Sequence, residues 1–169
     1  IPLFIKPEIC KNVTLYGNWT GSWQANETNS SPINNAPTIF TKTIPDGYYK
    51  WSCRACDNSS SCSFSSNRTF RVETTPPIAE QGANPIEGYN SNSSNITFDF
   101  KCLSNVSVST IQLWTNTTGT WTSVYSNNSY TNNTWLNITI NGISDSQSYN
   151  WAVYCNDTAG NLNSTSVTF

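Results

Sequence analysis

Three observations predict that this chain is all-β and made of two tandem β-sandwich domains. They are an internal repeat, a period of two in the apolar residues, and cysteines on the inward phase of that period. The repeat comes first. Tyr49-Lys50-Trp51-Ser52-Cys53-Arg54-Ala55-Cys56-Asp57 returns as Tyr149-Asn150-Trp151-Ala152-Val153-Tyr154-Cys155-Asn156-Asp157, with Trp51 and Trp151 one hundred residues apart. Upstream, Leu15-Tyr16-Gly17-Asn18-Trp19-Thr20-Gly21-Ser22-Trp23 matches Leu113-Trp114-Thr115-Asn116-Thr117-Thr118-Gly119-Thr120-Trp121 without a gap. Two matched blocks in the same order mean duplication, with domains expected at residues 1–75 and 76–169.

Each module then reads as strands. Ile96, Phe98, Phe100 and Cys102 alternate with Asn95, Thr97, Asp99 and Lys101. Leu136, Ile138 and Ile140 alternate with Trp135, Asn137 and Thr139, and Tyr149, Trp151, Val153 and Cys155 alternate with Asn150, Ala152, Tyr154 and Asn156. Period two with one apolar face is the pattern of an antiparallel sandwich, and no helical period is present. Pro45-Asp46-Gly47, Asn141-Gly142 and Asp157-Thr158-Ala159-Gly160-Asn161 mark turns. Thr74-Thr75-Pro76-Pro77 cannot continue a ladder and reads as a short stiff linker.

Six cysteines are present. An even number in a chain of this kind points to disulfides and an oxidising compartment. The Cys53-x-x-Cys56 spacing also suits zinc, but no His and no second such pair accompanies it. Spacing alone leaves about 15 connectivities for six cysteines. Cys102 and Cys155 both face inward on distant strands, so a bridge between sheets is expected there. Cys53 stands in the place of Val153 and faces inward, which assigns Cys10 as its partner and leaves Cys56–Cys62 to close a hairpin.

Composition narrows the function. Charged residues make up 11% of the chain and the net charge is −2, with no basic run to neutralise phosphates, so a nucleic-acid partner is excluded. No apolar stretch is long enough to span a bilayer. The sequence starts at Ile1 without Met, so it is expected to be a processed or truncated product. Seven Trp, eight Tyr and seven Phe argue for folded domains despite the abundance of Asn, Ser and Thr. N-x-[S/T] sequons stand at Asn12, Asn18, Asn26, Asn29, Asn58, Asn67, Asn92, Asn95, Asn105, Asn116, Asn127, Asn132, Asn137, Asn156 and Asn163. Covalent N-linked glycans would hydrate a surface that has little charge, and Asn95, Asn137 and Asn156 lie on the outward phase of their strands.

Asp46-Gly47-Tyr48-Tyr49-Lys50-Trp51, then Ala55-Cys56-Asp57-Asn58, Cys62-Ser63-Phe64 and Thr74-Thr75-Pro76-Pro77, resemble tandem immunoglobulin-like repeats of archaeal cell-surface glycoproteins. The block from Trp151 through Cys155 to Asp157-Thr158-Ala159-Gly160-Asn161 resembles the same repeat. The resemblance covers nearly the whole chain. It implies two immunoglobulin-like sandwiches, exported and displayed at the cell surface, and it implies no particular activity. Module one departs from it with Ser59-Ser60-Ser61, where a Gly-Asn turn is usual.

No catalytic site is expected. The chain has no His, and its carboxylates are scattered over turns and strand edges, whereas acid–base chemistry needs a perturbed pair in a cleft. Asp57 and Asp157 recur at a hairpin turn, but one carboxylate each is poor provision for calcium, and a side chain capping its own turn fits better. No cofactor is implied. Trp19, Trp114, Trp121, Tyr125 and Tyr130 are candidates for stacking on sugars, against Trp23 and Trp121 packing over the sandwich edge.

Module one has nine residues before Cys10 and is expected to lack a strand, while Ile1-Pro2-Leu3-Phe4-Ile5 forms an apolar extended segment. That is the logic of strand donation between subunits, with Ile1, Leu3, Phe4 and Ile5 as the subunit contacts and the acceptor edge near Val167–Phe169. The sequence therefore points to a structural subunit of an extracellular filament, pilus-like fibre or surface layer, whose partners are other copies of itself. The alternative is a monomeric adhesin stalk or carbohydrate-binding surface module.

Overall fold

The computed structural model describes residues 9–145 and 147–169. Among the described residues it contains twelve strands and no helix. They are β1 (Cys10–Gly17), β2 (Gln24–Asn29), β3 (Gly47–Asp57), β4 (Cys62–Phe64), β5 (Arg68–Val72), β6 (Ile78–Gln81), β7 (Ile96–Leu103), β8 (Val108–Thr115), β9 (Thr122–Asn127), β10 (Leu136–Ile140), β11 (Asn150–Asp157) and β12 (Leu162–Thr168). The chain divides into two compact units, 1–72 and 73–169, and every strand pairing is antiparallel.

The second unit is a complete sandwich. One sheet runs β10-β7-β6 and the other β12-β11-β8-β9. The alternation of the sequence supplies the two inner faces. Phe98 and Phe100 from one sheet meet Ile111, Leu113, Trp151 and Val153 from the other, and all six are fully buried. Phe98 meets Trp151 edge to face at 5.2 Å, and the indole N–H of Trp151 donates to the Pro85 carbonyl at 3.2 Å. A large aromatic residue is stable here because its polar atom has a partner. The Cys102–Cys155 disulfide joins β7 to β11 and so ties the two sheets together. The strand ahead of β7 is β6.

Among the described residues the first unit has one sheet. It runs β2-β1-β3-β4, with β5 also paired to β3. Leu15 stands opposite Cys53 and Gly17 opposite Trp51, as Leu113 stands opposite Val153 and Thr115 opposite Trp151. The repeat is thus kept in register for the sheet that holds β8, β9, β11 and β12. Nothing among the described residues repeats β6, β7 and β10.

Hairpin chemistry is the same in both units. Asp57 N–H donates to the Ser61 carbonyl and Asp157 N–H to the Asn161 carbonyl, both at 3.0 Å. Gly160 sits at φ 92°, and Ser60 takes the equivalent left-handed position at φ 65°. A side chain there is strained, so Ser60→Gly is expected to raise the stability of the first unit by about 1 kcal/mol. A shift of the urea midpoint at unchanged slope checks this.

One expectation is corrected. The Cys10–Cys53 bridge does not form, and both cysteines are free. Cys53 lies opposite Leu15 and Cys10 opposite Asp57. Five residues of strand separate those positions, about 16 Å at ~3.3 Å per residue, well beyond the ~7 Å limit for bridged Cα atoms. Cys56–Cys62 is bridged across the β3–β4 pair. The segment that holds the expected stiff linker is hydrogen-bonded at Glu73 and Pro77. Asn161 Nδ2 donates to the Glu73 carbonyl at 3.0 Å and Asn163 Nδ2 to the Pro77 carbonyl at 2.8 Å, which fastens this segment to the second unit.

Candidate functional site: an open apolar face

In the second unit the face of β8 and β11 that carries Ile111, Leu113, Trp151, Val153 and Cys155 is wholly buried, because β7 covers it. The repeat puts Val13, Leu15, Trp51, Cys53 and Ala55 on the same face of β1 and β3. Of these only Leu15 is buried. Val13, Trp51 and Cys53 are half-buried and Ala55 is exposed. Across β3 and β5 the face continues through Tyr49 and Phe70, whose rings lie 5.6 Å apart. Trp19 folds over Gly17 and approaches Phe70 at 6.3 Å, and a Cβ on Gly17 would collide with its ring. Among the described residues Leu15 is the sole apolar side chain of the first unit that reaches full burial.

A second wall stands beside this floor. Residues 38–44 run without ladder pairing. Thr38, Phe40 and Ile44 are half-buried while Ile39 is 84% exposed, and Lys42 pairs with Glu27 at 2.6 Å. Leu15, Trp51 and Phe70 with Phe40 and Ile44 enclose a slot of about 450 Å³. The slot lies where the second unit holds β7.

The other candidate residues fall into three groups. Tyr130 is buried, and its hydroxyl serves the Cys102 N–H and carbonyl and the Thr134 N–H and carbonyl at 2.5–3.2 Å. Tyr125 packs on Phe100 at 6.1 Å, so neither tyrosine is placed to stack on a sugar; both serve the core. Trp23 stacks on Tyr16 at 6.2 Å, and Trp121 lies 6.4 Å from Trp114, both on the outer faces of their sheets. Ile1, Leu3, Phe4 and Ile5 lie outside the described residues. Val167 lies on β12, the end strand of its sheet, which among the described residues has a ladder partner only on the β11 side; there Val167 pairs with Trp151, and Phe169 exchanges two backbone bonds with Tyr149 and packs on Phe98 at 5.5 Å.

The two turn aspartates cap their own hairpins. Asp57 Oδ1 accepts from the Ser59 and Ser61 N–H groups, and Asp157 Oδ1 from those of Ala159 and Asn161. Asp157 is also held by Asn161 Nδ2 at 3.0 Å and the Ser104 hydroxyl at 3.4 Å. Burial acts to raise its pKa, but the side-chain bond from Asn161 and the backbone bonds from Asn161, Ala159 and Gly160 together outweigh it and hold the carboxyl below its ordinary value. A depressed folded pKa contributes stability above the unfolded pKa, and that contribution is lost as pH falls through the folded value. The second unit is therefore expected to lose stability on acidification through and below the usual aspartate range. Asp157→Asn should remove that part of the pH dependence in urea titrations. Among the described residues no three His, Cys, Asp or Glu side chains gather as a metal would require, and no helix is long and apolar enough to cross a membrane.

The sequons are unequal. Asn95 and Asn137 are exposed, but Asn156 is half-buried with its Oδ1 enclosed and unpartnered, so its outward phase does not leave it free. Asn26, Asn132 and Asn163 donate through Nδ2 to backbone carbonyls at 2.8–3.1 Å. Asn18 and Asn116 repeat one structural role: their Oδ1 atoms accept from Lys50 and Asn150 N–H groups, each at 2.8 Å.

No family model matches the sequence, and no curated protein does. Among solved structures the chain is similar to the fibronectin(III)-like modules of CbhA from Clostridium thermocellum. The identity is 10% and the TM-score 0.49, over 96% of this chain and 78% of that one. The fold rests on the strand pairings described above.

Proposed function

We propose that this protein is a structural subunit of an extracellular filament, pilus-like fibre or surface layer, assembled by strand donation between copies and coated with N-linked glycans. The observation that carries the reading is the half-built first unit. Val13, Trp51, Cys53 and Ala55 occupy positions that are fully buried in the second unit, yet no strand covers them among the described residues. A sheet open on its apolar face, beside an unpaired segment, is an aggregation hazard in a monomer and a joint in an assembly. The donor in this reading is the segment Ile1-Pro2-Leu3-Phe4-Ile5 of a neighbouring copy, which presents Ile1, Leu3 and Ile5 on one face. Pro2 forfeits one donor N–H, which an end position tolerates. The acceptor is the slot over Leu15, Trp51 and Phe70, with residues 38–44 as the strand it pairs with. The outer edge of β12 near Val167–Phe169 is the alternative acceptor.

Disulfides at Cys56–Cys62 and Cys102–Cys155 fit an oxidising, extracellular compartment. The native material is expected to run as detergent-resistant polymers in light scattering and electron microscopy, with a subunit mass above the polypeptide's 18.7 kDa. A chain that stays monomeric at high concentration contradicts the assembly, and a bare polypeptide mass contradicts the glycan coat.

A further inference from the structure

The outer face of the second unit's larger sheet carries a feature that strand donation does not use. Trp121, Trp114 and Tyr154 form an aromatic row across β8 and β11, with ring centroids 6.4 Å and 5.6 Å apart. Beside the row, Ala152 is a small residue on the floor of a shallow depression of about 520 Å³, bordered by Trp121, Tyr154, Ser164, Ser166 and Glu87. Such a volume lies within the ~300–1,000 Å³ usual for small-molecule sites. The Gly88 N–H donates to the Thr168 carbonyl at 3.2 Å and so anchors the loop that carries Glu87 at the end of β12. The Thr168 hydroxyl donates to Asn150 Oδ1 at 2.5 Å, which leaves the Asn150 amide as a hydrogen-bond donor at the same rim.

The first unit provides an internal comparison. Arg54 stands opposite Phe64 there, as Tyr154 stands opposite Ser164. Phe64 lies edge-on to Tyr16 at 4.9 Å, with the Arg54 guanidinium 6.0 Å from its ring. The place that Phe64 occupies in one unit holds only Ser164 in the other. What remains is an exposed indole, 42% accessible, next to two serine hydroxyls, an amide and a carboxylate. Among the described residues no Lys or Arg borders the depression.

We propose that this depression binds a neutral saccharide. A pyranose offers an apolar face of C–H groups and a rim of hydroxyls that both donate and accept. The flat indole of Trp121 and the ring of Tyr154 match the first; Ser164, Ser166, Asn150 and Glu87 match the second. A rim without a cation disfavours sialylated or sulfated sugars, which would meet Glu87 with no counter-charge. The site is lined by residues of the second unit alone, so the proposal holds whether or not the chain polymerises.

The test titrates the full chain with maltohexaose, cellohexaose and an α-mannan hexasaccharide, read by tryptophan fluorescence and by heteronuclear NMR shifts. Saturable binding to at least one of them is expected, with shifts centred on Ala152, Ser164 and Ser166. Trp121→Ala is expected to weaken it by about tenfold or more, as loss of a central aromatic anchor does. Ser164→Phe, which installs the first unit's residue and keeps the sequon at Asn163, should abolish it, and Trp23→Ala should leave it unchanged. Failure of all three sugars to bind at millimolar concentration overturns the proposal. So does binding that Ser164→Phe and Trp121→Ala leave intact in folded protein.

Discussion

Deletion of Ile1 to Ile5 is expected to give a folded, disulfide-bonded chain that no longer polymerises. The second unit has its own two sheets, core and bridge. The donated strand would bury Ile1, Leu3 and Ile5, at roughly 1.5–3 kcal/mol for each side chain fully buried. It would also cover Val13, Trp51 and Phe70 of the acceptor. Losing that burial is expected to shift the balance from polymer to monomer. Adding the missing segment as a synthetic peptide to the deleted chain should protect backbone amides of residues 38–44 from hydrogen exchange without restoring polymers. If the deleted chain still forms fibres, the donor lies elsewhere.

The second large effect concerns the inter-sheet bridge. Cys102 and Cys155 are separated by 53 residues, and in the chain-entropy model a closed loop of that length contributes about 4 kcal/mol. Domains of this size have only about 5–15 kcal/mol of stability in all. The double variant Cys102→Ala/Cys155→Ala is therefore expected to lose about 4 kcal/mol or more, since it also empties space inside the core. Cys56–Cys62 spans a separation of 6, and its removal should cost nearer 2 kcal/mol. That loss should be confined to the first unit. Equal losses from both would show that loop length does not set the size of the effect.

Much of the second unit was legible because its strands bury one face. The alternation through Phe98 and Phe100, and through Trp151 and Val153, fixes the inward side, and the inter-sheet disulfide follows from it. The first unit was harder. Its shortage of residues before Cys10 points to a missing strand, but a whole opposing layer is absent among the described residues. The true environment of Cys10 is nonetheless signalled in the sequence. The gapless match of Leu15 to Leu113 carries Cys10 to the place of Val108, on the same sheet as Cys53, and not to the place of Cys102. Tyr125 and Tyr130 could not be assigned because β9 and the turn after it have no apolar alternation to set their faces. The saccharide depression depends on what stands beside Tyr154 across the β11–β12 pair, and a single strand's pattern does not reveal that.

What fills the slot over Leu15, Trp51 and Phe70 decides between an assembly joined by donated strands and any other arrangement. A cryo-electron microscopy map of the native assembled material measures this directly. Strand donation predicts continuous strand density between residues 38–44 and the inner face of β3, contributed by the N-terminal segment of a neighbouring subunit. Density there traced to the same subunit's own N-terminal residues, or an empty slot between subunits joined elsewhere, would contradict it.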